Sequence, residues 1–326
     1  SLFVGSGGAL DDNNTPTLAD DTIDIDGAVG FSLASASLTF VSVSKGTDSF
    51  TGLSVTLTDA GLVGIDNFAI FVSGTVKLNS TSRLDGQKID WDSAMTAPAS
   101  SLLPALDVDK SVQLQIVDAS AAVNVFGFFV ARVADFDLTM ATTDIVAGNP
   151  ALGTLQNAAL MAITLSGLDA FAGVGGSLSA QSSTASVVTT GAMGFSITGG
   201  SVKVAIVKHG PLATATSYVG LEVGLAGASL VGIEGLQLNA AGTIALNKAT
   251  TSAGLPAAQK IDWATATGNF LSDFGNDLTS GVDVVIAGSA SLNVFGFVVG
   301  TASFSMTQGT ADVDTKNAAI SGSGAI

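Results

Sequence analysis

The chain repeats itself. Gln87-Lys88-Ile89-Asp90-Trp91 returns unchanged as Gln259-Lys260-Ile261-Asp262-Trp263, and Asn124-Val125-Phe126-Gly127-Phe128 returns unchanged as Asn293-Val294-Phe295-Gly296-Phe297. Gly27-Ala28-Val29-Gly30-Phe31 is echoed by Gly191-Ala192-Met193-Gly194-Phe195, and Leu62-Val63-Gly64-Ile65 by Leu230-Val231-Gly232-Ile233. Order is kept, and the spacing stays between 164 and 172 residues. A fixed period of this kind marks a structural unit whose faces are closed by its neighbours. Drift of a few residues marks loop insertions. The sequence therefore predicts two tandem modules of about 165 residues. Copy one spans 27–146 and copy two 191–316, the last matched residues being Phe304, Met306 and Thr307. Residues 1–26 read as a leader or the tail of a preceding module. Residues 147–190 read as a Gly/Ala/Ser/Thr-rich connector, partly β, and 317–326 as a tail. The chain opens in mid-pattern at Ser1, with neither Met nor a signal peptide, and is expected to be part of something longer.

Within a module the periodicity is that of strands. Val112-Gln113-Leu114-Gln115-Ile116 and Ala134-Asp135-Phe136-Asp137-Leu138 alternate with period two, as does much of Phe31 to Ser44. Gly52, Gly64, Gly74 and Gly127 interrupt strand patterns and recur in copy two, which predicts bulges or corners. Helical signals are few. Pro98 and Pro104 break the apolar stretch 93–106, whereas its counterpart 264–278 has no proline and is expected to form one short helix. The fold expected is all-β, an elongated rod built as a β-solenoid or as stacked β-sandwiches.

Composition narrows the function. Charged residues are 12% of the chain, about half the usual share for soluble domains. Apolar residues reach 47%, yet no uninterrupted run of them is long enough for a spanning helix. High apolarity without a membrane span predicts large cores or a surface buried against neighbours. Eleven basic residues, scattered singly in a chain of net charge −16, make no footprint for nucleic acid. Cysteine is absent, so neither disulfides nor thiolate metal sites exist.

Catalytic constellations are missing too. The only histidine, His209, aligns with Lys45 and reads as a hairpin-tip residue rather than a general base. Tyr218 aligns with Phe50 and reads as packing. No nucleophile elbow with a free histidine and no Walker loop is present. No catalytic residue or organic cofactor is expected, and the chain is read as a non-enzyme. A carboxylate-pair glycosidase is the only rival that needs neither His nor Cys.

Two motifs are expected to be structural. Asp90 and Trp91, with Asp262 and Trp263, read as a core plug with a turn-capping Asp; an exposed Trp binding a glycan is the alternative. Phe126 and Phe128, with Phe295 and Phe297, read as a core ladder on one strand face, or else as an exposed aromatic pair for assembly. Calcium is the one metal considered. Asp21, Asp24 and Asp26, together with Asp312 and Asp314, supply carboxylates near module boundaries. The competing reading is a solvated acidic edge that discourages strand pairing.

With zero Cys, Thr/Ser/Gly/Ala-rich strands and the recurring Val-Phe-Gly-Phe and Ile-Asp-Trp motifs, the chain resembles modules of giant bacterial β-strand-repeat surface proteins, the repetitive adhesins among them. That resemblance implies an extracellular, cell-surface location and calcium binding. The glycine-rich nonapeptide of toxin-type calcium repeats is not present. The function expected is structural or adhesive, with self-assembly into a surface fibre or sheath. The expected partner is another copy or a cell-surface or matrix component. A glycan- or ligand-binding surface module is the alternative.

Overall fold

The computed structural model describes residues 1–17, 19–94, 103–211, 213–275 and 277–311. Asp312, Asp314, Met95 and Leu102 lie outside them. Among the described residues the strands are β1 (Leu2–Ser6), β2 (Ala9–Asp11), β3 (Thr22–Asp24), β4 (Val29–Lys45), β5 (Asp48–Val63), β6 (Phe68–Thr81), β7 (Val112–Val125), β8 (Phe129–Val146) and β9 (Thr154–Val174). They continue as β10 (Ser177–Leu178), β11 (Val187–Val188), β12 (Met193–His209), β13 (Thr216–Val231), β14 (Leu236–Thr250), β15 (Thr267–Gly268), β16 (Val282–Val294) and β17 (Val298–Gly309). No helix occurs among the described residues. The all-β expectation holds.

The coil and the sandwich both give way to one open antiparallel meander. Its thirteen-stranded sheet runs β1-β4-β5-β6-β7-β8-β9-β12-β13-β14-β16-β17, with β15 paired to β8. The sheet does not pause between the sequence repeats. β9, at 21 residues the longest strand, pairs with β8 from Phe129–Ala172 to Val146–Thr154 and with β12 from Met193–Val174 to Lys208–Ala159. The short helix expected over 264–278 is not formed. Trp263 and Ala264 donate to Leu278 O, Thr267 and Gly268 pair with β8, and Phe274 and Leu278 go into the core. The chain there is used as a strap, because tertiary burial outweighs local propensity.

Side chains alternate between the faces of a strand, so the register sorts them into two sets. One face is covered by loops. The β6–β7 connection lays Trp91, Leu106 and Val108 over Val41 and Val112. The β14–β16 connection lays Ile261, Trp263, Phe274 and Leu278 over Ala205, Val207, Tyr218 and Ala245. At the other end of the strands, the excursion 175–192 with hairpin β10–β11 covers Val130 and Phe171.

The opposite face carries Phe40, Leu53, Leu78, Leu114, Met140, Met161, Ile206, Leu221, Leu246, Val284 and Phe304 on successive strands. No described segment lies over it. Leu38 and Phe304 are 68% and 61% exposed there. The accessible surface of the chain is 18393 Å². A compact monomer of this mass exposes about 12,000 Å². The excess is that of a single layer with one face unpacked.

Strands bend where an extra residue enters. Asp59, Asp118, Gly167 and Gly199 have φ of 45°, 52°, 61° and 62°, and neighbouring registers slip at each. These are bulges. The displaced amides find side chains instead: Asp59 N donates to Ser73 Oγ at 2.9 Å, Asp118 N to Asp137 Oδ1 at 3.1 Å, and Gly199 N to Asp169 Oδ1 at 3.0 Å.

Candidate functional site: an open apolar face and a hairpin seat

The Gln-Lys-Ile-Asp-Trp motif is a clamp under the covered face. Trp91 Nε1 donates to Asn79 Oδ1 at 3.0 Å, and Asn79 Nδ2 donates to Ile89 O at 2.8 Å and Asp109 O at 3.1 Å. Copy two repeats this: Trp263 Nε1 to Asn247 Oδ1 at 3.0 Å, and Asn247 Nδ2 to Ile261 O at 2.8 Å and Thr279 O at 2.9 Å. Each indole lies on a glycine. A Cβ on Gly52 would come within 2.8 Å of Trp91 Nε1, and one on Gly220 within 2.8 Å of Trp263 Cδ2. The lysines close the strap, Lys88 Nζ on Val112 O and Lys260 Nζ on Val282 O, at 2.7 and 2.8 Å. Burial pulls the Lys88 ammonium below its usual pKa, with Asp109 opposing. The indoles are 4% and 2% exposed, so neither forms a sugar platform. The buried Oδ1 of Asp262 has no partner among the described residues.

The Asn-Val-Phe-Gly-Phe motif is not a core ladder. Phe126-Gly127-Phe128 and Phe295-Gly296-Phe297 are the three-residue connections of hairpins β7–β8 and β16–β17, and their first two residues have φ of 54° and 66°, and 49° and 73°. Positive φ at both positions is the hairpin geometry that matches strand twist. Asn124 Oδ1 and Asn293 Oδ1 each accept the turn glycine's N–H at 2.9 Å. The phenylalanines are therefore thrown out at the tip, and Phe297 is 91% exposed. A strand reading missed them because their alternation continues through the turn.

The acidic residues at the amino end do not converge. Asp24 Oδ1 accepts the N–H of Asp26 in a local turn at 2.9 Å. Among the described residues no three acidic or histidine side chains gather at metal-binding distance, Asp21, Asp24 and Asp26 included. His209 ends β12 opposite Thr216, and Tyr218 is buried in the second Trp cluster, where burial raises its phenol.

Sequence reasoning missed the seat of hairpin β10–β11. Ser183, in its loop, is fully buried and reaches across to β5, β6 and β7. Its Oγ lies 2.7 Å from Ser73 Oγ, 3.0 Å from Ser120 Oγ and 2.9 Å from Asp59 Oδ1; its N–H donates to Asp59 Oδ1 at 2.9 Å. That backbone hydrogen bond is the main reason the Asp59 carboxyl lies below its usual range. A lone serine in a Ser/Ala/Thr-rich segment gives no signal of this role.

The open face contains an apolar trough of about 440 Å³, lined by Leu168, Val202, Val223, Ile244, Ile286 and Phe304. On this face Lys208 and Lys248 stand at the end nearest the Trp straps. Between them and the opposite hairpin turns, the register places no charged residue among the described ones. Such a surface can bury itself against another apolar surface. No helix among the described residues is long and apolar enough to cross a membrane. Comparison with family models, with curated proteins and with solved structures finds no match.

Proposed function

We propose that this chain is an extracellular structural repeat protein that works by associating with further copies of itself. The reading is carried by one observation: a sheet of this size has one face apolar from strand to strand with no described segment over it. Exposed apolar patches beyond a few hundred Å² are rare on proteins that remain alone. Obligate associations bury about 2,000 Å² or more in total through such apolar surfaces. The resemblance to modules of bacterial β-strand-repeat surface proteins favours the cell exterior. Negatively stained electron micrographs of the purified chain are expected to show ordered sheets or fibres. Monodisperse particles of 32.2 kDa at every concentration, with no surface that binds an apolar dye, would overturn the reading.

A further inference from the structure

Resting on that reading, we infer a specific head-to-tail junction: residues 1–26 of a second copy dock on the β12–β17 end of the first as residues 170–188 dock on β4–β8 within one chain.

The donor side is present twice. β1 pairs with β4 through Val4–Phe31 and Phe3–Ser32, as β9 pairs with β12 through Ala172–Phe195 and Phe171–Ser196. Hairpin β2–β3 pairs Leu10 with Ile23, as β10–β11 pairs Leu178 with Val187. So Phe3 and Leu10 are the counterparts of Phe171 and Leu178. Phe171 and Leu178 pack on Val130. Leu10 packs on nothing described and is 68% exposed.

The acceptor side is also present twice, filled once. Val130 on β8 is 0% exposed; its sequence counterpart on β17, Val299, is 71% exposed. β8 has β9 on its far side, and β17 is the last strand of the sheet among the described residues. The three residues that hold Ser183 are Asp59, Ser73 and Ser120, whose counterparts are Gly227, Ala241 and Ser289. These three line a single open groove of about 580 Å³ on the covered face of copy two. Among the described residues the groove has the form of a hairpin seat with nothing in it, beside a strand edge with no partner. Gly227 in place of Asp59 also removes the carboxylate that would repel the acidic loop of the incoming hairpin, with its Asp12, Asp20 and Asp21.

Copying the register Ala172–Phe129 across the junction sets Val4 of one chain opposite Val298 of the next. The contact is heterologous, so it propagates rather than closing on a pair.

Because the chain has no cysteine, crosslinking reads this register cleanly. The double variant Val4→Cys/Val298→Cys, oxidised and run without reductant, is expected to give a ladder of covalent multimers. Val4→Cys/Phe129→Cys places the second thiol at the matching site whose edge β9 already occupies, and is expected to stay monomeric. Adding Ser289→Arg, which fills the seat without touching the edge, is expected to cut the ladder at least tenfold. Equal crosslinking by both pairs, or a ladder indifferent to Ser289→Arg, overturns the junction. Light scattering separates this from the broader reading: multimers without the ladder leave self-association standing and sink this junction, and monomers throughout sink both.

Discussion

The two sequence repeats share the hydrogen bonds of their Trp clamps, matched at 3.0 and 3.0, 2.8 and 2.8, and 3.1 and 2.9 Å, yet differ where the strands bend. In the first, β7 and β8 each carry an extra residue. Asp118 sits in a bulge caught by Asp137, and the registers of β6–β7 and β7–β8 slip around it. In the second, β14, β16 and β17 pair without a mid-strand slip, and Gly288 and Ser305 stand where Ala119 and Asp137 stand in the first. The first repeat has its hairpin seat filled, and the second has it open. A shared motif therefore fixes the clamp, while the bends and the covering depend on single insertions and on what comes next in the sheet.

The largest effects should come from the clamps. Trp263→Ala is expected to cost about 3–5 kcal/mol in urea unfolding. Trp91→Ala should cost less, because Trp263 lies in the larger cluster and packs tilted against Phe274 with ring centroids 5.3 Å apart. A larger loss at Trp91 would break the comparison. Asn79→Ala and Asn247→Ala each strip one indole N–H and two carbonyls of their partner. Both should cost about 2–3 kcal/mol, and equal values would sharpen the claim that the clamps are the same device.

Smaller effects should separate the copies. Ser183→Ala is expected to cost about 1–2 kcal/mol and to open the segment 177–188 to protease, with no change around β13–β17. Acid should do the same more weakly. The Asp59 carboxyl is held below its unfolded value, so its contribution is present at neutral pH and is lost as pH falls through the folded pKa. Asp59 is near the surface, so the loss should stay below about 1 kcal/mol. Asp137 works in the opposite sense. Burial raises its carboxyl, partly offset by the Asp118 N–H, so protonating it relieves a cost as pH falls. Protection factors at 177–188, taken relative to the intrinsic exchange rate at each pH, should fall between neutral pH and pH 4 in the parent and stay flat in Asp59→Ala. The smallest effect belongs to the turn tips: Phe297→Ser should fall within about 0.5 kcal/mol of the parent.

Much of the fold was legible. Alternation in 112–116 and 134–138 marked real strands, whereas the recurring Gly52 and Gly220, expected at bulges or corners, lie in regular register and make room for an indole. Trp91 and Trp263 lay in the core because nothing else in a small-residue chain fills such volume. What the sequence concealed was arrangement. Alternating strands look alike whether the second face is covered by another sheet or by nothing, so single-layer architecture leaves no mark in one strand. Phe126-Gly127 hid a turn because aromatic residues at left-handed φ are uncommon. The stretch 264–278 had helical spacing, but its apolar residues were spent on a strap. Ser183 was silent because its partners lie more than 60 residues away in sequence.

The most direct test of the account is concentration-dependent hydrogen exchange on the peptides bearing Val130 and Val299. In dilute solution the first should be protected and the second exchange freely, and raising the protein concentration should protect the second. Equal protection of both in dilute solution, or no response of the Val299 peptide to concentration, would contradict it.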